Sequence, residues 1–241
     1  LTTLICYSIN SKKGVVKMLY QVKDQIIEIP DDAKEFGHGS EGVVYKIKDK
    51  LYKIYYQNAL DEGYGNKEKQ HIYFSQIPTK QIIMPDYCIY DMEGNYAGYT
   101  TKIARGNQKD KSGVTLLPKE DFIKNLQILS EDIKTLSSYY ILCADVTPFN
   151  YILDKKTTKM QIIDPGRYKH HTFDNEAEYF RINMRQFEIL VELLIRIDLL
   201  KYKPLNSKRK LLLLSEFIAE TRRKFDGTIV EFYQEKLKDY E

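Results

Sequence analysis

The sequence has few cysteines and no large excess of either charge. Its three cysteines, Cys6, Cys88 and Cys143, are scattered and form no CxxC pair, so the sequence predicts neither a disulfide framework nor a cysteine zinc site. The 37 basic and 34 acidic residues leave a formal net charge of +3, which argues against an obligate nucleic-acid partner. The scattered, odd-numbered cysteines favour a reducing compartment, and we expect a cytoplasmic protein.

Long apolar runs are also missing. The most apolar segment, residues 187–200, is interrupted by Glu188, Glu192, Arg196 and Asp198. A membrane-spanning helix needs roughly 18 or more consecutive apolar residues. The first residues lack a basic n-region and a cleavage site, so no signal peptide is predicted. We therefore expect no membrane span, and 241 residues suffice for one large domain or two small lobes.

What the sequence does contain is a glycine pattern, GxGxxG, formed by Gly37, Gly39 and Gly42. In a dinucleotide-binding oxidoreductase, the third glycine would open a helix. Here β-branched and aromatic residues follow over residues 43–56, around an Asp-Lys turn, and they predict a strand hairpin. A glycine-rich turn between strands can lay its backbone N–H groups over phosphates. A helix beginning at Val43 would revive the oxidoreductase alternative.

The rest of the first half predicts further strands and one helix. Lys53 lies on the return strand of the hairpin, on a face with apolar neighbours. We predict a strand over residues 21–29, a helix over 66–76, and strands over 81–90 and 96–103. Within that helix Glu68 is the acid best placed to reach Lys53, with Glu62 as the alternative. The polar stretch 106–113 predicts a linker between two lobes.

The second half is predicted to be mainly helical and to hold a set of oxygen ligands. Apolar residues recur at helical spacing over residues 122–137, and a second amphipathic pattern covers 175–201, with one or two further helices over 207–240. Between them, Asp145 and Asn150 precede a short hairpin over residues 151–163, and Asp164 follows it. Two carboxylates and an amide suit Mg²⁺ and leave one carboxylate as a possible proton acceptor.

The ordered set resembles the protein-kinase-like superfamily over about residues 20–200. It consists of a glycine loop, a strand lysine, a helix glutamate, Asp-x-x-x-x-Asn and Asp-x-Gly. The resemblance implies an α+β, bilobal protein-kinase-like fold. Residues 1–104 would form an antiparallel-sheet N-lobe with one helix, and residues 105–241 a mainly helical C-lobe.

The resemblance also implies the site and its cofactors, ATP and Mg²⁺. Gly37, Gly39 and Gly42, with Ser40 between them, match the loop that covers the phosphates. Lys53 matches the lysine that binds the α- and β-phosphates, and Glu68 its helix partner. Asp145 matches the catalytic base, while Asn150 and Asp164 match the metal ligands. The adenine would lie near Lys102 to Arg105, and the phosphate acceptor would be a protein or a small molecule.

Several residues depart from the pattern of ordinary protein kinases. Cys143-Ala144 stands where His-Arg precedes the catalytic aspartate, Thr147 where a lysine meets the γ-phosphate, and Pro165 where the DFG motif has phenylalanine. No Ala-Pro-Glu follows Gly166. These departures predict an atypical protein Ser/Thr kinase or a small-molecule kinase whose site stays in one conformation. The alternative is a pseudokinase-like nucleotide-binding or scaffold module without turnover.

Overall fold

The computed structural model describes residues 17–30, 33–106 and 117–201, and the chain divides into two compact units. Of the described residues, unit 1 holds those up to 77 together with 84–103, and unit 2 holds 78–83 together with those from 104 onward. Most of the predicted linker and the predicted helices over 207–240 lie outside the described residues. The short crossing segment 78–83 was not indicated by the sequence.

Unit 1 is built on a seven-stranded antiparallel sheet whose order is β2-β1-β6-β7-β5-β4-β3. Residues 23 and 24 form a turn between β1 and β2, with Lys23 in the left-handed region at φ 55°. The prediction of one strand over residues 21–29 is therefore wrong, because the chain reverses inside it. The strands are β1 Lys17–Val22, β2 Gln25–Pro30, β3 Glu35–His38, β4 Gly42–Ile47, β5 Lys50–Tyr55, β6 Pro85–Tyr90 and β7 Tyr96–Lys102.

The glycine pattern is followed by a strand hairpin, as predicted, and no helix begins at Val43. Strands β4 and β5 pair antiparallel, with Val44 opposite Lys53. A second predicted hairpin, β6 and β7, is also confirmed, and its turn is held by Asp91, which accepts hydrogen bonds from the backbone N–H groups of Glu93 and Asn95. Strand β6 begins only at Pro85, so the first residues of the predicted strand 81–90 fall outside it.

The two faces of this sheet bury different side chains. Because side chains alternate along a strand, β5 directs Tyr52 and Ile54 into one cluster and Tyr55 into another. Lys53 shares the alternation of Tyr55, so it lies on the face with the aromatic cluster. That cluster contains Tyr55, Cys88, Tyr96 and Tyr99.

The helical part of unit 1 is more divided than the sequence predicts. Helix α1 spans Gln57–Asp61, a 3₁₀ turn spans Tyr64–Lys67, and helix α2 spans Glu68–Phe74. Gly63 separates α1 from the 3₁₀ turn because its φ of 116° cannot continue a helix. The prediction of a single helix is wrong, whereas the helix predicted over about 66–76 is confirmed over Glu68–Phe74.

Unit 2 contains the helices predicted over residues 122–137 and 175–201 and the predicted hairpin. Its apolar interior joins α3 and α4 to the hairpin through residues such as Leu126, Leu129, Met160, Phe187 and Leu190, all buried. Across the described ranges, none of the helices combines the length and the apolar character needed to cross a bilayer. The elements are α3 Lys119–Ser138, β8 Ile141–Leu142, β9 Tyr151–Asp154, β10 Lys159–Ile162, β11 Lys169–His170 and α4 Glu176–Lys201, with β9 paired to β10 and β8 to β11.

The segment 78–83 belongs to unit 2 because α3 and β10 bind its backbone. Asp132 of α3 is 2% exposed, and its carboxylate accepts hydrogen bonds from the backbone N–H groups of Lys80, Gln81 and Ile82 at 2.7–3.1 Å. Ile82 also forms a parallel bridge to Ile162 of β10. These bonds replace the strand pairing that the sequence predicts for residues 81–84.

Candidate active site

In unit 2, Asp145 and Asn150 lie on one loop and contact each other directly. Residues Pro148–Asn150 form a 3₁₀ turn ahead of β9, and this turn directs the Asn150 amide back along the loop. Its Nδ2 donates to the backbone oxygen of Asp145 at 2.9 Å and to Asp145 Oδ2 at 3.0 Å. The amide therefore holds the carboxylate in place, and its own Oδ1 is not used in this contact.

Asp164 is brought to the same end of the β9–β10 hairpin. Tyr151 pairs with Ile162, and the backbone N–H of Ile163 donates to the backbone oxygen of Asn150 at 2.8 Å. Asn150 thus precedes β9 and Asp164 follows β10, so the two residues lie at the same end of the hairpin. The structure brings Asp145, Asn150 and Asp164 to one end of one hairpin, with Asp145 exposed and the other two half-buried.

Both aspartates adopt left-handed backbone conformations. The φ angles are 61° at Asp145 and 60° at Asp164. This region costs an L-residue roughly 1–2 kcal/mol, although aspartate tolerates it better than most residues. At Asp164 the neighbouring Pro165 contributes, because a following proline disfavours the right-handed helical region. Strained backbone at two acids of one site is typical of functional positions.

Asn183 fixes the backbone just ahead of Asp145, and the sequence analysis missed it. This side chain of α4 is fully buried. Its Oδ1 accepts from the Cys143 backbone N–H at 2.8 Å, and its Nδ2 donates to the Ile141 backbone oxygen at 2.8 Å. The available signal was an amide on the apolar face of a helix, one turn from Tyr179 and one turn from Phe187.

Two buried side chains beside the aspartates stay protonated near neutral pH. Burial raises the pKa of the Cys143 thiol to about 12, so this cysteine is not a thiolate nucleophile. Burial also raises the pKa of the Tyr168 phenol well above its usual value, and Cys143, Asp164 and Asp145 raise it further. Tyr168 therefore remains a neutral hydroxyl close to both acids.

In unit 1, the three glycines of the GxGxxG pattern differ in whether the fold requires glycine at their positions. A Cβ at Gly42 would lie 2.1 Å from the Ile54 backbone oxygen, so strand packing alone requires glycine there. A Cβ at Gly37 or Gly39 would meet nothing within 4 Å, and neither glycine has a positive φ. The fold does not demand glycine at these two positions, which leaves an approachable backbone beside the exposed Ser40.

Lys53 is paired with an acid, but not with the predicted one. Its Nζ lies 3.0 Å from Glu41 Oε2, and the two side chains are only 11% and 12% exposed. Glu68 instead accepts a hydrogen bond from the Tyr90 hydroxyl at 2.7 Å. The predicted Lys53–Glu68 pair is wrong because α2 directs Glu68 toward β6. The alternative, Glu62, caps the end of α1 and is exposed.

The segment predicted to lie against adenine, Lys102 to Arg105, begins at the end of a strand and ends at a residue whose backbone is hydrogen-bonded. Lys102 is the last residue of β7. The backbone N–H of Arg105 donates to the side-chain oxygen of Gln161 at 3.0 Å. The adenine contact at this segment stays a prediction.

The donor set in unit 2 fits a hard divalent cation. Among residues 17–30, 33–106 and 117–201, no three His, Cys, Asp or Glu side chains are placed to hold a metal. The set at the hairpin end differs, because it combines two carboxylates with an amide. Such oxygen donors suit Mg²⁺, which commonly keeps several waters and takes only one or two carboxylates from a protein.

No protein-family model matches the chain, and no curated protein matches it.

Proposed function

We propose that this protein is an ATP- and Mg²⁺-dependent phosphotransferase of the protein-kinase-like kind, acting on an alcohol acceptor. Both an atypical protein Ser/Thr kinase and a small-molecule kinase fit the residues. The observation that carries the proposal is the convergence of Asp145, Asn150 and Asp164 at one end of the β9–β10 hairpin, with the Asn150 amide bonded to the Asp145 carboxylate.

Unit 2 would supply the metal ligands and the base. Asn150 Oδ1 and the Asp164 carboxylate are the groups that would hold Mg²⁺, which when bound offsets phosphate charge. Asp145 is the more exposed acid and is oriented by the amide, so an acceptor hydroxyl can reach it. Phosphoryl transfer depends on positioning and charge compensation more than on covalent chemistry, and these residues are sufficient for that.

In the proposed step, the Asp145 carboxylate takes the proton of the acceptor hydroxyl. The acceptor oxygen forms a bond to the γ-phosphorus as the bond to the β–γ bridging oxygen breaks, so the products are the phosphorylated acceptor and ADP. Unit 1 would supply Lys53 for the α- and β-phosphates. The turn at Gly39 and Ser40, both exposed, would lie over the phosphates.

A second candidate function is a nucleotide-binding module without turnover. It is favoured by Thr147, whose hydroxyl cannot provide the positive charge that a lysine brings to the γ-phosphate at this position. The same nucleotide contacts would then serve binding alone.

The experiment compares the purified chain with Asp145→Asn and Asp164→Asn, in the presence of Mg²⁺ and γ-labelled ATP. Asparagine tolerates the left-handed backbone of both sites, so the variants change charge while keeping shape. We expect label transfer to the protein or an added acceptor, or slow ATP hydrolysis, to fall by about 100-fold to 10,000-fold in each. Asp174→Asn, an exposed acid of unit 2, is the matched control and should keep wild-type activity.

The outcomes separate the two candidates. Turnover that both site variants lose supports the phosphotransferase. Thermal stabilisation of the wild type by ATP and Mg²⁺ without any turnover supports the binding module. If ATP neither stabilises the protein nor is turned over, both proposals are contradicted.

A further inference from the structure

We propose that Glu41, a residue of the glycine-rich turn, is the positioning residue for Lys53 in place of the helix residue Glu68. The inference rests on the proposed function, because it concerns how the phosphate-binding lysine is held. If the inference holds, Lys53 is oriented by the turn that would cover the phosphates and not by helix α2.

The backbone places Glu41 directly beside β5. The Tyr56 backbone N–H donates to the Glu41 backbone oxygen at 3.0 Å, and the Gly39 N–H donates to the Gly42 oxygen at 3.0 Å. Because Gly42 has no side chain, it packs against the Ile54 backbone more closely than any other residue could. These contacts fix the end of the turn, so the Glu41 carboxylate reaches Lys53 two residues along β5 from Tyr55.

Both carboxylate oxygens of Glu41 are held by unit 1. Oε2 accepts from Lys53 Nζ at 3.0 Å, and Oε1 accepts from the Tyr64 hydroxyl at 2.5 Å. Tyr64 is in turn packed against Tyr55, with ring centroids 5.0 Å apart, and Lys67 Nζ lies 4.0 Å from the Tyr64 ring centroid. A carboxylate bound at both oxygens has one orientation, and it imposes a corresponding orientation on Lys53.

The surroundings of Lys53 make such a carboxylate important. Its Nζ lies 5.7 and 5.9 Å from the ring centroids of Tyr55 and Tyr99, and the side chain is 11% exposed. A nearly buried ammonium is costly unless an anion compensates it. His71 stacks near the same rings and cannot compete for Glu41 as a cation, because burial first and then Lys67 and Lys53 lower the pKa of His71 to about 3.

Glu68 is engaged elsewhere. Its Oε1 accepts from Tyr90 at 2.7 Å, and its backbone oxygen accepts from the Cys88 thiol at 3.8 Å. Glu68 therefore offers a matched control: an acid of the same unit that stands where the superfamily pattern expects the lysine partner.

The test uses the full chain as wild type, Glu41→Gln, Glu41→Asp and Glu68→Gln, with circular dichroism to verify folding. The first readout needs no nucleotide: the rate at which an amine-reactive ester acylates Lys53, measured by mass spectrometry. We expect Glu41→Gln to acylate Lys53 severalfold faster, because the ammonium group loses the carboxylate that holds and shields it. Glu41→Asp should partly restore the slow rate, and Glu68→Gln should match the wild type. Acylation of the exposed Lys46 and Lys48 should be the same in all four.

The second readout is turnover with ATP and Mg²⁺. We expect Glu41→Gln to lower kcat/KM by about 10-fold to 100-fold, since a misplaced group near the reacting atoms costs up to that much, while Glu68→Gln changes it little. If Glu41→Gln does not fold, Tyr64→Phe, which frees one carboxylate oxygen, should give a smaller change in the same direction.

The proposal is overturned if Glu68→Gln alone accelerates Lys53 acylation, if the two Gln variants accelerate it equally, or if neither of them does. Tighter ATP binding by Glu41→Gln also overturns it, because Glu41 would then block phosphate instead of positioning Lys53. Acylation that depends on Glu41, in a protein that never binds ATP, would leave the Glu41–Lys53 pair intact and contradict the proposed function alone.

Discussion

The two units use their buried polar side chains in different ways. In unit 1 these side chains bond one another: Lys53 and Tyr64 both donate to Glu41, and His71 Nδ1 pairs with the Tyr96 hydroxyl. In unit 2 the buried polar side chains bond mainly the backbone, and the side-chain pairs found there, Gln81–Asn125 and Asn183–Ser137, join neutral groups. Asp132 accepts three backbone N–H groups of the segment 78–83, and Asn183 binds the backbone ahead of Asp145.

Each unit therefore contributes a different property to a site. Backbone-directed bonds fix the path of a loop, and they do not depend on the state of another side chain. Bonds between side chains depend on the charge of each member, so a network of them responds to pH and to bound anions. We therefore expect unit 2 to hold Asp145 and Asp164 in a rigid frame. In unit 1 we expect the hydrogen-bond network around Lys53 to respond to changes in charge.

The largest expected effect lies in the frame of unit 2. Asp132→Ala would leave the buried N–H groups of the segment 78–83 without their acceptor, and a buried donor left unsatisfied costs about 1–3 kcal/mol. We expect the free energy of unfolding to fall by about 3 kcal/mol or more, measured by urea denaturation.

The neighbouring Glu131 gives a matched control. It pairs with Lys80 at 2.8 Å on the surface, where the two side chains are 58% and 65% exposed. Exposed pairs of this kind contribute little, so Glu131→Ala should leave the urea midpoint almost unchanged. Equal destabilisation by the two variants would show that the backbone bonds of Asp132 are not what holds the segment.

The sequence predicted the parts of the molecule that follow from local periodicity. Alternating β-branched and aromatic residues predicted the β4–β5 hairpin, and 3.6-residue spacing predicted α3 and α4. The Asp145–Asn150–Asp164 set followed from the short hairpin between its members. The partner of Lys53 did not follow, because the choice between Glu41 and Glu68 depends on the path of the turn at residues 39–41 and on the direction in which α2 points its acid. Hydrophobic periodicity carries no information on the path of that turn or on the direction of the Glu68 side chain.

The next prediction tests the charge sensitivity of unit 1 through His71. Burial lowers the pKa of His71 from 6.5 to about 3. The unfolded chain therefore binds a proton below pH 6.5 that the folded protein does not, so stability is complete above that pH and falls as the pH drops from 6.5 toward 3. At pH 5 the loss is about 2 kcal/mol relative to pH 7.

Urea denaturation at pH 5 and pH 7 measures this loss, and His71→Phe should reduce it strongly because the variant has no proton to exclude. The control is His38→Gln, since the His38 side chain is 73% exposed and its removal should leave the difference between the two pH values intact. A wild-type difference that survives in His71→Phe would mean that other groups account for the pH dependence of unit 1.

The smallest effect concerns the strained backbone at Asp164. Alanine and glycine both remove the carboxylate, so the difference between Asp164→Ala and Asp164→Gly reports the backbone alone. At φ 60° glycine avoids the Cβ clash, and we expect Asp164→Gly to be more stable than Asp164→Ala by about 1 kcal/mol. Thr147, with φ −128° and ψ 163°, is the control, and there alanine should be the more stable replacement because glycine loses more entropy on folding. The same order at both positions would mean that the backbone of Asp164 is relaxed, and the rigid frame expected for unit 2 would then not extend to Asp164.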